Sequence, residues 1–492
     1  MPKLHPDKRI NTKAVHAAYN YQQEATAAVK DLEYSAVFHE QGLGKTKIAL
    51  DTTLYWLKNN IIDSVVIVTK RGLVENWKDE IRAHTHIAPA VLSQNKNLNY
   101  YALNSPAKIY ICHYEVVGSE YERFVLFCKS RDVGMILDES HKIKNPLSNV
   151  SKSFHAVSQF LSKKMIMTGT PISNRPYDIW SQIYFLDSGE ALGDDFTDFK
   201  QNLDLTGDLK NDDKKRGYFE SELKDIWNRI SDFCVRETKN GAGISLPRKY
   251  ITMIETDWET DQQSMYNRVK DEMRVTIVRD GIPVEDESED ILKRLLRLIQ
   301  IASNPFTIDE TYDKTPGKFN YLLTLLSKII NNNEKAIVWT SFIKNAEWLH
   351  KNLEEYKPVL VHGGLSMEGR NASIRQFKSD IAVKILVATP GAAKEGLTLT
   401  VANHVVFYDR SFSLEDYLQA QDRIHRISQT KESFVYNFIM NDSIDIWVNT
   451  LIQSKALAAQ LGQGDIDYNE YAKHADYSFK EILHQILAES GV

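Results

Sequence analysis

Ser35-Ala-Val-Phe-His-Glu-Gln-Gly-Leu-Gly-Lys-Thr46 is a short apolar run that turns through two glycines into a Lys-Thr pair, and a helical run, Lys47 to Trp56, follows at once. Strand, glycine-rich loop and helix in that order bring backbone N–H groups and a helix N-terminus together, which is an arrangement that holds phosphates. Gly42 and Gly44 let the chain turn tightly, Lys45 can reach the β and γ oxygens of a nucleotide, and the Thr46 hydroxyl can bind magnesium. The full spacing would place another glycine at position 39, where this chain has His39.

Working outward, apolar runs bounded by polar residues or glycine recur through the first half: Ser64-Val-Val-Ile-Val, Lys108-Ile-Tyr-Ile, Val133-Gly-Met-Ile-Leu and Met165-Ile-Met. Continuous apolar runs separated by helical patterns are what a parallel sheet covered on both faces requires. The rhythm returns in Lys335-Ala-Ile-Val-Trp, Pro358-Val-Leu-Val, Lys384-Ile-Leu-Val-Ala, His404-Val-Val-Phe-Tyr and Ser433-Phe-Val-Tyr. The expected fold is therefore α/β, with two doubly wound parallel-sheet lobes in tandem. A length of 492 residues suits two such lobes with helical additions between them. The lobe boundaries are expected at 1–252, with a helical protrusion at about 187–245, and at 316–455. A helical protrusion and linker over 253–315 and a C-terminal helical extension over 456–492 complete the division. The acidic run Val284 to Asp290 reads as a solvated loop and is given no chemistry.

Composition narrows the function classes. Apolar residues at 42% and charged residues at 26% fit a folded globular chain. A formal net charge of −6 counts against a generally basic nucleic-acid binder, so any such surface must be local. Cys112, Cys128 and Cys234 have neither disulfide-framework nor zinc spacing. With no signal-peptide pattern and no run of about 20 apolar residues, a soluble cytoplasmic protein is expected.

Two further constellations carry chemistry. Met135-Ile-Leu-Asp138-Glu139 puts adjacent carboxylates at the C-terminal end of a buried strand, where Asp138 can hold magnesium and Glu139 can orient or deprotonate an attacking water. Gln419-Ala-Gln-Asp-Arg423-Ile-His-Arg426 carries two arginines three apart, which a helix would put on one face, suited to stabilising the charge that phosphoryl transfer develops.

Taken together and in this order, the segments resemble helicase superfamily two, and specifically its Swi/Snf-like branch of double-stranded DNA translocases, over about Tyr21 to Trp447. Tyr21-Gln22 is similar to the motif that reads adenine, which gives Gln22 an ATP-binding role. Asp138-Glu-Ser-His141-Lys-Ile-Lys-Asn145 is the most diagnostic stretch, and Thr168-Gly169-Thr170-Pro-Ile-Ser-Asn174, with Trp180 after it, resembles the motif that links nucleotide state to DNA contact. The resemblance thus implies coupling roles for His141, Thr168, Gly169 and Thr170, and catalytic roles for Asp138, Glu139, Gln419, Arg423 and Arg426. It implies DNA contacts at Lys70, Asn76, Trp77, Thr340, Thr398 and Thr400, with RecA-like lobes, ATP and magnesium as cofactors and duplex DNA as partner. Leu295 to Pro305 is similar to the helix and proline turn ahead of the second lobe. The departures are Ser140 where alanine is usual, an exchange expected to be without consequence, Ala393 and Lys394 for a glycine pair, and Phe412-Ser413 for Trp-Asn. His141, His362 and His425 lack metal-ligand spacing and are expected in coupling or packing. A compact chain without a lysine-rich import run suggests a bacterial or viral source. A strand-separating or strand-annealing helicase at forks or recombination intermediates and a non-catalytic DNA-binding scaffold are the alternative readings.

Overall fold

The computed structural model describes residues 10–172, 175–203, 213–244, 246–280, 289–392, 399–426 and 428–474. The chain forms two compact units, Met1–Ser245 with Leu457–Ala472, and Leu246–Ala456 with Lys473–Val492. Ser173, Asn174, most of the acidic run, Ala393, Lys394, Gly396 and Thr398 lie outside the described residues.

The first unit is built on a seven-stranded sheet of β1 (Tyr34–Val37), β2 (Ser64–Thr69), β3 (Ala90–Val91), β4 (Ile109–His113), β5 (Val133–Asp138), β6 (Lys163–Met167) and β7 (Cys234–Val235). The order is β3-β4-β2-β5-β6-β1-β7 and every pairing is parallel. Alternation along β2 explains the unbroken apolar run: Val66 and Val68 enter one core with Phe38, Met135 and Leu137, while Val65 and Ile67 enter another with Val37, Ile136 and Met165. Both faces are covered, so both side-chain sets must be apolar. Because the strands run parallel, the C-terminal ends of β2, β5, β6 and β1 stand side by side, with Asp138 beside Met167 and Met167 beside Val37.

The second unit repeats the plan with six strands: β8 (Lys249–Thr256), β9 (Ala336–Trp339), β10 (Val359–Val361), β11 (Ile385–Ala388), β12 (His404–Phe407) and β13 (Ser433–Met440). Their order is β10-β11-β9-β12-β13-β8, again all parallel. Ile337, Trp339, Val405 and Phe407 line one face, and Val338, Val387, Val406 and Phe438 the other. The α/β class with two parallel sheets is as the sequence led one to expect.

The stretch between the two sets of runs differs from a purely helical expectation. Helices Asp213–Ile230 and Glu289–Ser303 are there, the latter followed by a proline turn at Pro305–Thr307, but so are β7 and the eight-residue β8. At the other end, the helix Ile444–Gly462 starts in the second unit, and residues 457–472 belong to the first. Leu461 and Tyr468 enter the first unit's core, the Trp227 indole donates to the Gly462 carbonyl at 2.7 Å, and Arg236 pairs with Asp465 at 2.6 Å.

Candidate functional site

The loop after β1 begins at His39, and its two glycines stand at positive φ, 86° at Gly42 and 69° at Gly44, a backbone region that L side chains rarely adopt. Gly44 caps the helix Lys45–Lys58, so the helix N-terminus stands at the C-terminal edge of the sheet. Lys45 Nζ donates to the carbonyls of His39 and Glu40, at 2.8 and 3.3 Å. Burial, with the Lys45 charge second, pushes the His39 imidazole down to about 4, so it is neutral at physiological pH. Gln22 supports this loop from beneath: its Nε2 donates to the Leu43 carbonyl and to Tyr21 Oη, both at 3.2 Å, and its Oε1 accepts from Tyr19 N–H.

Asp138 ends β5, two strands from β1 along the same edge. Its Oδ2 accepts from Thr69 Oγ1 at 2.9 Å and from the Trp77 indole N–H at 2.8 Å. Both of these donors fall on Oδ2. Burial and the adjacent Glu139 carboxylate push the Asp138 carboxyl up to about 6, against the pull of Trp77, Thr69 and Lys45. Glu139 adopts a left-handed backbone, φ 54°, and its Oε2 lies 3.3 Å from His141 Nδ1. His141 Nδ1 is also 3.2 Å from Thr168 Oγ1, which accepts from Thr170 N–H at 3.1 Å. At Gly169 a Cβ would stand 2.6 Å from Gln41 Cγ and 3.3 Å from Lys45 Nζ, so the phosphate loop passes where any side chain would be.

Thr46, Asp138, Glu139, His141, Thr168, Gly169 and Lys45 thus share one edge of the first unit's sheet. Oxygen donors from Thr46 and Asp138 fit magnesium, which is commonly held by one or two carboxylates together with substrate phosphates and water. No group of three or more His, Cys, Asp or Glu side chains placed to hold a metal occurs among the described residues.

Gln419, Arg423 and Arg426 belong to the second unit. Here the structure corrects the shared helix face: the helix Leu414–Gln421 ends before either arginine, and both lie in the turn that follows. Arg423 is buried, with its carbonyl accepting from Leu399 N–H at 2.9 Å, whereas Arg426 is half-buried and its Nε donates to the Asp422 carbonyl. Gln419 Nε2 donates to Glu415.

Two of the residues expected to contact DNA are buried here. Trp77 is only 2% exposed and its N–H is spent on Asp138, because the helix Val74–His84 turns it into the core. Thr340 is fully buried, its hydroxyl donating to Asp409, whose carboxylate also accepts from Ser303. Lys70, Asn76 and Thr400 are half-buried, with Thr400 Oγ1 3.0 Å from Ser428 Oγ, and Thr398 lies outside the described residues. His362 and His425 serve packing: His362 Nδ1 accepts from Gly364 N–H, and His425 Nε2 bonds the Pro247 carbonyl. Thr69 and Gln182 touch this edge without having been singled out by the sequence reading, where Gln41 stood only as part of the glycine loop. A threonine ending a strand beside the Asp-Glu strand was the only available signal, and for Thr69 alone. Nor is Ser140 idle, since its hydroxyl donates to Gln182 Oε1 at 2.7 Å.

A phosphate loop and paired carboxylates on one parallel sheet, followed by a second parallel sheet carrying an arginine pair, fit the P-loop class of helicase superfamily two. The sequence pattern of the SNF2-related domain matches residues 26–307, over half of the chain, and that of the helicase conserved C-terminal domain matches residues 317–428. The chain belongs to the SNF2-related family. It is similar to an uncharacterized ATP-dependent helicase of Mycoplasma genitalium, 26% identical over 89% of this chain and 41% of that protein. It is similar also to the ATP-dependent DNA helicase DDM1 of Arabidopsis thaliana, 25% identical over 92% of this chain and 62% of that protein. The chain therefore spans about two fifths to three fifths of the length of these relatives. The SWI2/SNF2 ATPase core of Sulfolobus solfataricus in complex with dsDNA is 23% identical with a TM-score of 0.42, covering 97% of this chain and all of that one.

Proposed function

We propose that this chain is a DNA-dependent ATPase of Swi/Snf type that couples hydrolysis to movement along duplex DNA, displacing bound proteins or remodelling DNA structures. The observation that carries the reading is the chain of contacts Glu139–His141–Thr168–Thr170, with Gly169 against Gln41 and Lys45. It joins the residue that would orient water to a segment that packs on the phosphate loop, so a displacement of that segment alters both. Lys45, released from the His39 and Glu40 carbonyls, compensates β and γ charge. Glu139 orients and deprotonates the attacking water, and Arg423 and Arg426 stabilise the charge that develops. Thr46 and Asp138 would hold magnesium, whose chemistry is to neutralise phosphate charge.

With a net charge of −6, duplex contacts must come from local lysines, arginines and backbone N–H groups directed at phosphates, a mode that is insensitive to sequence. The test is ATP turnover without DNA and with single-stranded, duplex and forked DNA. Hydrolysis is expected to be slow alone and stimulated most by duplex, and Lys45→Ala should abolish it. A rate indifferent to DNA would refute the coupling, and stimulation confined to forks would favour a strand-separating helicase.

A further inference from the structure

Directly after Glu139, the turn Ser140–Ile143 is pinned to the helix Trp180–Asp187. The Ser140 hydroxyl donates to Gln182 Oε1 at 2.7 Å, and the Ser181 hydroxyl donates to the Ile143 carbonyl. At its other end the Gln182 amide donates to the carbonyls of Pro171, at 2.7 Å, and Asp178, at 3.0 Å. Ser140 and Gln182 are fully buried. Both amide protons are used and the amide oxygen is occupied. A flipped amide would set Oε1 against two carbonyls, so the orientation is fixed.

One side chain therefore grips the residue after Glu139 with its oxygen and the residue after Thr170 with its nitrogen. Glu139 itself sits at φ 54°, a conformation that is unfavourable for a non-glycine residue and persists only where the surroundings impose it. Ser140, the next residue, is one of the anchors that impose it, beside the Lys142 N–H that donates to the Glu139 carbonyl at 3.0 Å. Breaking either end would leave a buried polar group without a partner, so the assembly moves as one body rather than coming apart.

We propose that Ser140 and Gln182 form a positioning pair for the hydrolytic carboxylate: they hold Glu139 in register with the Thr168–Pro171 segment and transmit that segment's displacement to it, in parallel with the His141–Thr168 contact. The proposal rests on the ATPase reading above. Ser140→Ala, Gln182→Leu and the double variant test it through KM for ATP, kcat at saturating ATP and duplex DNA, and the thermal midpoint, at a temperature where each chain is folded. Ser140→Ala removes one oxygen and keeps the backbone, so that variant should fold. Each single variant should lower kcat about tenfold, the upper range of coupling through such a network, with KM changed less than about twofold. The double variant should be no slower than Gln182→Leu, because both members act through one contact. Folded single variants with a lower midpoint but wild-type kcat would show a merely structural role and overturn the proposal, as would effects that multiply. A wild-type chain that hydrolyses no ATP overturns the ATPase reading, and the proposal with it.

Discussion

Trp77 shows how far a residue's role depends on what its neighbours do. Its motif resembles one that touches DNA, yet the helix amphipathicity that buries Trp77 and Ile81 turns its indole N–H onto Asp138. Together with Thr69 it stabilises the ionised carboxylate, opposing the burial and the Glu139 charge that raise Asp138 to about 6. Trp77→Phe keeps most of the packing and removes the donor, and a hydrogen bond to a charged group contributes about 1.5–3 kcal/mol. The Asp138 carboxyl should then rise further, so at a given pH near 6 more of it is protonated. Because a proton competes with magnesium for that oxygen, the acid limb of the ATPase profile should shift to higher pH at limiting magnesium and return when magnesium is in excess. A limb that stays where it is in the wild type would mean that the indole does not tune this carboxylate. Lys45, Thr46, Asp138 and Glu139 were legible in sequence because a glycine loop and a strand-end Asp-Glu are local patterns. Thr69 and Gln182 were not, since each acts on a partner far along the chain.

Among the elements, ten strands announced themselves as unbroken apolar runs, because a strand covered on both faces has no polar side to show. The three that did not are all edge strands. β3 and β7 have two residues each, too few for any periodicity, and β8 is largely exposed, with Tyr250, Ile251 and Met253 open to solvent. Its mixture of polar and apolar residues, amid charged helical sequence, has none of the signature of a buried parallel strand. The return of residues 457–472 to the first unit was illegible for a similar reason: a helical pattern gives a face, not the surface it meets. That return makes a prediction. Leu461 is 4% exposed in the first unit's core and Tyr468 3%. Leu461→Ala should cost about 2–5 kcal/mol, and Tyr468→Ala a similar amount. In thermal unfolding, the transition that abolishes nucleotide binding by the first unit should fall, while that of the second unit stays in place. Equal shifts in both, or none, would show that these residues do not secure the first unit.

At the scale of the whole molecule, the groups proposed for hydrolysis are divided: phosphate loop and carboxylates in one unit, Arg423 and Arg426 in the other. Binding and catalysis should therefore separate. Nucleotide affinity depends on Lys45, Thr46 and the loop N–H groups, none of which an arginine substitution touches. Turnover depends also on a guanidinium at the developing charge, a contribution on the order of 10³–10⁵ in rate, or about 4–7 kcal/mol of transition-state stabilisation. The two arginines are not equivalent tests. Arg423 is buried, so Arg423→Ala opens a cavity and should lower the second unit's stability as well as turnover. Arg426 is half-buried in the turn, so Arg426→Ala is the cleaner substitution. Expected for Arg426→Ala are near wild-type affinity for a fluorescent nucleotide, an unchanged thermal midpoint, and duplex-stimulated turnover reduced by at least about a thousandfold. Glu139→Gln serves as the comparison, since it should also retain nucleotide and lose turnover, but from the first unit's side. Should Arg426→Ala hydrolyse ATP within a few-fold of wild type while Glu139→Gln is inactive, the chemistry would be complete within the first unit, and the second would act on DNA alone.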